Sequence, residues 1–553
     1  MQETQKSELL KFGSIYRGWF SFLILAMVIV TGTSNAFEAS LSPHYNAGDG
    51  TYTTTTRDSQ TVWIPNVYLY FRALNFPTGV QTAYVEITYY DEPVSATVKL
   101  QYDGVSNAYT NSGFHTRSTG EGSMAFVKSY HRLDNILFAD RQNGSSDFRL
   151  NCGGFPIKSV VVRDMPFSDP YAAYALSLTP PWLSPYTGPS RDDVNADTLK
   201  GKVMTGYQGW FRTPNDLYDA GFVHWGVTLD GNSTVDMWPD PTDYAPSSLH
   251  LAPGFITVNG KPGYLFSSAD PAVVNKHCEW MRKYNIDGAY LQRFVSRARS
   301  GYYGAPEWVL ANVREAANRH GRIWAIEYDV SSLDTDVNPF EVITNDWNFL
   351  VNECHILDDP RYAHEDGKPV LFIWGFSVPD RDFTVEQADA ILDWFGTQNL
   401  YLIGGVHSSW ESKTEWYNHY QKYDQILAWM ERTYSDLVSQ KNKLNSWGIK
   451  ILPHAWPGFS WHNLKKLVFP TSYTDRAGGG FYWERLYNAV SIGADQIFLG
   501  MFDEYDEGTA VMPMSDDPPV VPNPSLYGHY ITNAGSPKDW WMMLSGYGKE
   551  MLC

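Results

Sequence analysis

The run "DQIFLGMFDEYDEGTAV" (495–511) joins two patterns with opposite solvent preferences. Its first part, "DQIFLG", is short, apolar and bounded by Gly, and reads as a buried strand. The second part packs four carboxylates, Asp503, Glu504, Asp506 and Glu507, into five positions. Acidic clusters ordinarily occupy solvated faces. One that directly follows a buried strand lies at that strand's end, so its meaning depends on what the architecture gathers there.

Working outward, seven further apolar runs precede this one: 202–211, 287–294, 322–331, 369–376, 400–410, 424–430 and 450–461. Amphipathic stretches of helical period separate most of them, at 271–285, 305–321, 384–398, 432–448 and 481–494. Gly closes several of these, as a helix C-terminus favours. Eight strand–helix units in about 350 residues predict a parallel (β/α)8 TIM barrel over 200–553. A doubly wound open sheet is the alternative, but no glycine-rich nucleotide fingerprint follows the first strand.

A parallel barrel carries its active site at the C-terminal ends of its strands. Taken in order, these ends offer Tyr207, Gln208 and Trp210; Gln292 and Arg293; Glu327, Tyr328 and Asp329; Trp374; His407, Ser408 and Trp410; and Trp429. The seventh gives His454, Trp456, Trp461 and His462, and the eighth Asp503, Glu504, Tyr505, Asp506 and Glu507. The strand middles are aliphatic and the ends polar and aromatic. A sugar asks for that mixture, because rings stack on its faces while amides, imidazoles and carboxylates bond its hydroxyls. Two carboxyls flanking a glycosidic bond suffice to hydrolyse it, one giving a proton to the leaving oxygen and the other acting as base or nucleophile. A solvated acidic loop and a Ca²⁺ loop are the competing readings, although "DEYDEG" lacks the regular spacing of an EF-hand. "HWG" (224–226) and "DMWPD" (236–240) fall in the long first strand-to-helix loop, where substrate contacts are expected.

Upstream, 37–165 shows short alternating runs such as "TAYVEITYYD" and "KSVVVRD" punctuated by Gly, Asn, Asp and Ser. This predicts an all-β sandwich, read either as carbohydrate-binding or as a packing module. The Pro- and Ser-rich stretch 166–199 reads as a linker. At the N-terminus, "WFSFLILAMVIV" (19–30) follows Lys6, Lys11 and Arg17 and precedes "SNA" (34–36). That predicts a signal peptide over 1–36 and a secreted or extracytoplasmic protein, with a retained membrane anchor as the alternative. No other membrane partner is expected. The net charge of -19 disfavours nucleic acid and acidic polymers as partners. Cys152, Cys278, Cys354 and Cys553 have no metal-ligand spacing, so neither metal nor cofactor is called for. The partner expected is a neutral polysaccharide or oligosaccharide.

The ordered set "GYQGWF", "DGAYLQRF", "AIEYDVS", "LFIWGF", "LPHAWPGFSWHNL" and "MFDEYDEGTAV" resembles the glycoside hydrolases of families 71 and 99, and most of all bacterial family 71/99-like proteins, some labelled xylosidase/arabinosidase. The likeness runs over about 200–550. Family 99 comprises endo-acting α-mannosidases and α-mannanases on a (β/α)8 barrel, with two essential glutamates in an N-E-W-x-E-G motif. The resemblance places that pair on Glu504 and Glu507. It implies that Glu504 is the base toward the sugar's own 2-hydroxyl, that Glu507 is the general acid and then base, and that configuration is retained. Asp503 and Tyr505 stand where that motif has Asn and Trp, so the sugar is left open, and the α-1,3-glucanases of family 71 keep a glucan in view. Tyr207, Gln208, Trp210, Gln292, Arg293, Tyr328, Asp329, Trp374, His454, Trp456, Trp461, His462, Asp503 and Tyr505 are the expected substrate contacts. A non-catalytic carbohydrate-binding protein is the alternative from another class, and a lyase or metal-dependent hydrolase a third.

Overall fold

A computed structural model describes residues 36–552 apart from 93–97, 113, 117–123, 153, 168–179, 215, 217–220, 229–231, 299–304, 332, 334–337, 380, 382, 431–432 and 521–529. The expected signal segment and part of the expected linker lie outside the described residues. No helix among the described residues is long and apolar enough to cross a membrane.

The second half is built on a curled parallel sheet. In chain order its strands are Lys202–Tyr207, Gly288–Phe294, Ile323–Asp329, Lys368–Trp374, Tyr401–His407, Gln425–Trp429, the two-part Lys450–Ile451 and His454–Ala455, and Gln496–Leu499. Each pairs in parallel with the next, and the last pairs with the first. The two-part strand decides how far the sheet curls. Pro453 has no N–H to give the ladder, so the run divides there. Leu452 N still donates to Ile426 O at 2.8 Å, and Phe498 N donates to Pro453 O at 3.0 Å. The hydrogen-bonded path therefore returns to its start through residues 450–455.

Helices follow the strands: Pro271–Lys283, Ala305–His320, Pro339–Asn352, Val385–Gly396, the short Tyr417–Tyr420, Tyr434–Ser446, Gly480–Ser491 and Trp540–Leu552. Local chemistry starts them. Thr384 with Gln387 and Thr433 with Asp436 form capping boxes, and Asp270 and Asn338 cap helices that open on Pro. Pro339–Asn352 had no counterpart in the sequence reading. Its β-branched residues have weak helix propensity, which packing overrides. Inside the sheet, the rings of Tyr290, Phe372 and Phe498 meet at 5.3–5.9 Å, so the interior is filled.

The first half holds two antiparallel sheets. The larger contains Glu38–Leu41, Tyr52–Arg57, Gln60–Pro65, Thr82–Tyr90, Phe114–Thr116, Phe126–Asp134 and Ile157–Arg163; the smaller contains Leu69–Phe71, Lys99–Tyr102, Thr110–Asn111 and Phe148–Asn151. Their buried side chains, among them Phe71, Val85, Ile87, Phe148, Leu150 and Val162, form one hydrophobic cluster separate from that of the parallel sheet. Trp182, Val194 and Leu199, from the stretch read as linker, are packed in the parallel-sheet core. Trp182 meets the Trp308 ring at 5.1 Å.

Candidate active site

Side chains alternate along each strand, so only every second residue at a strand end faces the sheet's interior. Gly206 has the inward parity, since a side chain there would strike Met501 and Phe498. Gln208 continues that parity. Gln292 and Phe294 follow Tyr290, Asp329 follows Glu327, and Trp374 follows Phe372, all inward.

The intervening residues turn toward the helices, and the structure does not bring them to the mouth. Tyr207 is buried and hydrogen-bonds His277 Nδ1 at 2.8 Å, while Tyr244 bonds the other nitrogen at 2.9 Å. Arg293 is buried and donates to both oxygens of Asp346 at 2.6 Å and to Glu307 at 2.9 Å. Tyr328 donates to Asp346 at 2.7 Å. Tyr207 and Tyr328 knit strand to helix, a correction to their reading as substrate contacts with a physical cause in the pleat, and Arg293 does the same while also lining the cavity beside Trp210.

At the eighth strand the chain makes a tight loop whose side chains part. Asp503 accepts from Gln208 N at 2.7 Å and Gly209 N at 2.8 Å, which ties the loop to the end of the first strand. Burial pushes its carboxyl up to about 6, and those two backbone donors pull it back. Tyr505 turns down among Phe211, Trp225 and Phe266 and donates to Pro513 O at 3.0 Å; it anchors the loop from below rather than lining the mouth. Below the loop's far end, Arg476 donates to Gly508 O and Ala510 O, both at 2.8 Å.

Glu504 is held at both oxygens. Oε2 accepts from Gln208 Nε2 at 2.9 Å, and Oε1 accepts from Asp506 N at 2.7 Å and Glu507 N at 3.3 Å. Asp506 is bonded by His224 Nδ1 at 2.8 Å and Thr234 Oγ1 at 3.1 Å. Glu507 retains part of its surface and lies in the fields of Asp506 and, across the mouth, Asp329. Burial first, and then these neighbouring charges, push Glu507 up to about 7, against the pull of Trp461 and Lys465. Glu504 is driven well above the ordinary carboxylate range by burial and by the charges of Asp506, Glu507 and Asp503. Two carboxyls so placed titrate together, so that near neutrality the pair shares a proton, one member acid and the other carboxylate.

Rings gather at the strand ends. Trp210 is sandwiched between His224, 3.8 Å away and nearly parallel, and Phe294 at 4.9 Å. A cavity of about 560 Å³ runs beside this stack, lined by Gln208, Trp210, His224, Gln292 and Phe294 among others. Gln292 Nε2 donates to Asp329 at 2.7 Å. On the other side, Trp374 meets Trp429 at 5.7 Å, and Trp429 stacks on His454 at 4.4 Å. His454 Nδ1 accepts from Met430 N at 3.0 Å, which fixes the neutral imidazole that burial favours by lowering its pKa to about 3. Lys465 lies 5.0 Å over the Trp461 ring.

Two other expected contacts sit deeper. Trp456 is buried against Phe481 at 4.7 Å. His462 is buried where Asp236 accepts from His462 N at 2.8 Å and Asn463 N at 2.7 Å, a junction between the long first loop and residues 460–463. Among the described residues, no three His, Cys, Asp or Glu side chains converge as metal donors.

His224, Asp506 and Glu327 belong to this arrangement although they were not among the expected contacts. Glu327 had its signal in the strand period, Asp506 in the acidic cluster and His224 in "HWG"; nothing local marked Lys465.

No family model matches the chain, and no curated protein does. Among solved structures it is similar to a family 99 endo-α-mannosidase from Bacteroides thetaiotaomicron in complex with bis-tris propane, with TM-score 0.48 and 15% identity over 64% of this chain and 98% of that one. A second structure of that enzyme gives TM-score 0.47 and 16% identity over the same shares. A glycoside hydrolase-like protein gives TM-score 0.40 and 12% identity over 67% of this chain and 99% of that one.

Proposed function

We propose that the chain is a secreted glycoside hydrolase that cleaves α-linked bonds within a neutral polysaccharide or glycan, on a (β/α)8 barrel formed by its second half. The observation that carries this reading is the carboxyl pair Glu504 and Glu507, joined through Glu507 N to Glu504 Oε1, the first buried and the second partly open, with Trp461 beside Glu507 and no arginine hydrogen-bonded to either among the described residues. Glu507, with its pKa raised to about 7, keeps a proton to give to the leaving glycosidic oxygen. With the shared proton on Glu507, Glu504, whose three hydrogen-bond donors favour its carboxylate, takes the proton of the sugar's 2-hydroxyl as that oxygen closes on the anomeric carbon. The aglycone leaves with the proton from Glu507. In the second half Glu507 removes a proton from water, the water oxygen opens the 1,2-anhydro ring, and Glu504 returns its proton to O2. Two inversions give net retention. Gln292 and Asp329 are oriented to bond hydroxyls from the opposite side of the mouth.

The test is release of oligosaccharides from α-mannan, α-1,3-glucan and xylan, with wild type and Glu507→Gln side by side and chelator present. Release from one polymer, retained under chelation and lost in the variant, supports the reading and names the sugar. Tight binding by both proteins without release supports a carbohydrate-binding protein instead.

A further inference from the structure

The four-stranded sheet of the first half has one face in the hydrophobic core, through Leu69, Phe71, Leu100, Phe148 and Leu150. Alternation therefore sends Tyr70, Arg149, Gln101 and Asn111 to the other face, where they are register partners across all four strands. They are also bonded side chain to side chain. Arg149 donates to Tyr70 Oη at 3.0 Å and to Gln101 Oε1 at 2.9 Å, and Gln101 Nε2 donates to Asn111 Oδ1 at 2.9 Å. The guanidinium carbon lies 3.8 Å from the Tyr68 ring centre and 4.3 Å from that of Tyr109. Tyr70 is buried against Tyr45, whereas Arg149, Gln101, Tyr68 and Tyr109 are half-buried and Asn111 is exposed, so the row is open from Arg149 to Asn111.

The sheet does not need this row, since its core is complete on the opposite face. Long polar side chains at a surface ordinarily keep their rotamer freedom, and here that freedom is surrendered to a continuous chain of bonds. The charge is matched within the face: Asp49 lies 4.0 Å from Arg149 and accepts from the Tyr70 hydroxyl at 3.0 Å. The outcome is a rigid strip of rings, amides and one neutralised guanidinium. At the usual strand spacing its open part spans roughly 10 Å, about two sugar rings. Rings for C–H faces and fixed amides for hydroxyls suit a neutral polyhydroxylated chain, and the chain's net charge of -19 opposes an anionic one.

We propose that this face binds a segment of a neutral glycan, as an accessory site separate from the acid loop. The choice of glycan deepens the glycosidase reading, but it stands on other residues and has its own readout. The experiment is affinity electrophoresis and calorimetry of the full chain against α-mannan, α-1,3-glucan and xylan, comparing the wild type with Tyr68→Ala and, to guard against misfolding, the milder Gln101→Ala. The expected result is about tenfold weaker polymer binding in both variants, with unchanged melting temperature and unchanged hydrolysis of short soluble oligosaccharides. Polymer binding equal to wild type in both variants, or no polymer bound by the wild type, overturns the proposal. Binding that the variants weaken, in a wild type that hydrolyses nothing, sustains this site while removing the glycosidase reading.

Discussion

Two clusters of charge sit at the ends of the two strands that flank Lys202–Tyr207, and they are built on opposite principles. Around Arg293, the carboxylates of Asp346 and Glu307 share one guanidinium at 2.6–2.9 Å, and Tyr328 completes the set. Around Glu504, four acids crowd one loop, and their hydrogen-bond partners are backbone N–H groups, Gln208, His224 and Thr234. The first cluster compensates its buried charge and so serves the fold. The second has no guanidinium at its centre, so it retains a proton at a pH where free carboxylates have lost theirs. An arrangement that costs stability and retains mobile protons in a ring-lined mouth is what acid–base chemistry requires.

The comparison is broken most easily at the acids. Glu507→Gln and Glu504→Gln are each expected to lower hydrolysis by about 10²–10⁴-fold, with the melting temperature kept or raised, because a neutral amide replaces a repelled carboxyl. A large loss of stability in either variant would make the loop structural. The second test is Arg293→Met, which strands Asp346 and Glu307 without their cation. It should cost about 3–5 kcal/mol in denaturant unfolding. An unchanged stability with a raised KM would return Arg293 to the substrate.

The third concerns pH. Glu507 is raised from the ordinary 4.5 to about 7, so the folded state holds that proton more tightly than the unfolded chain does. Its contribution to stability is complete below the unfolded value and is lost as pH rises through about 7. Thermal unfolding of the wild type should therefore weaken from about pH 5 to pH 8 relative to Glu507→Gln, whose curve lacks that component. The rate should fall over the same upper limb as the acid loses its proton. The smallest effect is expected from His224→Ala, which removes the ring stacked on Trp210 and one partner of Asp506; about tenfold in kcat/KM is anticipated.

Much of the parallel sheet was legible because each strand is a short apolar run closed by turn residues, and most helices carry a clear amphipathic period. Pro339–Asn352, the helix that supplies Asp346, was not read, although it carries an amphipathic period, because its Val, Ile, Thr and Asn residues are weak helix formers. The strand ends were legible as places but not as faces. Tyr207 beside Gln208, Arg293 beside Gln292 and Tyr328 beside Asp329 differ by one residue and point in opposite directions. The period of two that identifies a strand also separates each pair, once an inward residue such as Gly206 fixes the phase. Contacts between distant segments, such as His224 with Asp506 or Lys465 over Trp461, have no local signature and needed the fold.

The most direct measurement is a carboxyl carbon-13 NMR titration of the glutamate-labelled protein, with Glu504→Gln and Glu507→Gln to assign the signals. The account predicts a wild-type glutamate resonance titrating near pH 7, absent in Glu507→Gln and still present in Glu504→Gln. A wild type in which every glutamate titrates at or below the ordinary 4.5 would contradict it, and the acid loop would be no more than a solvated turn.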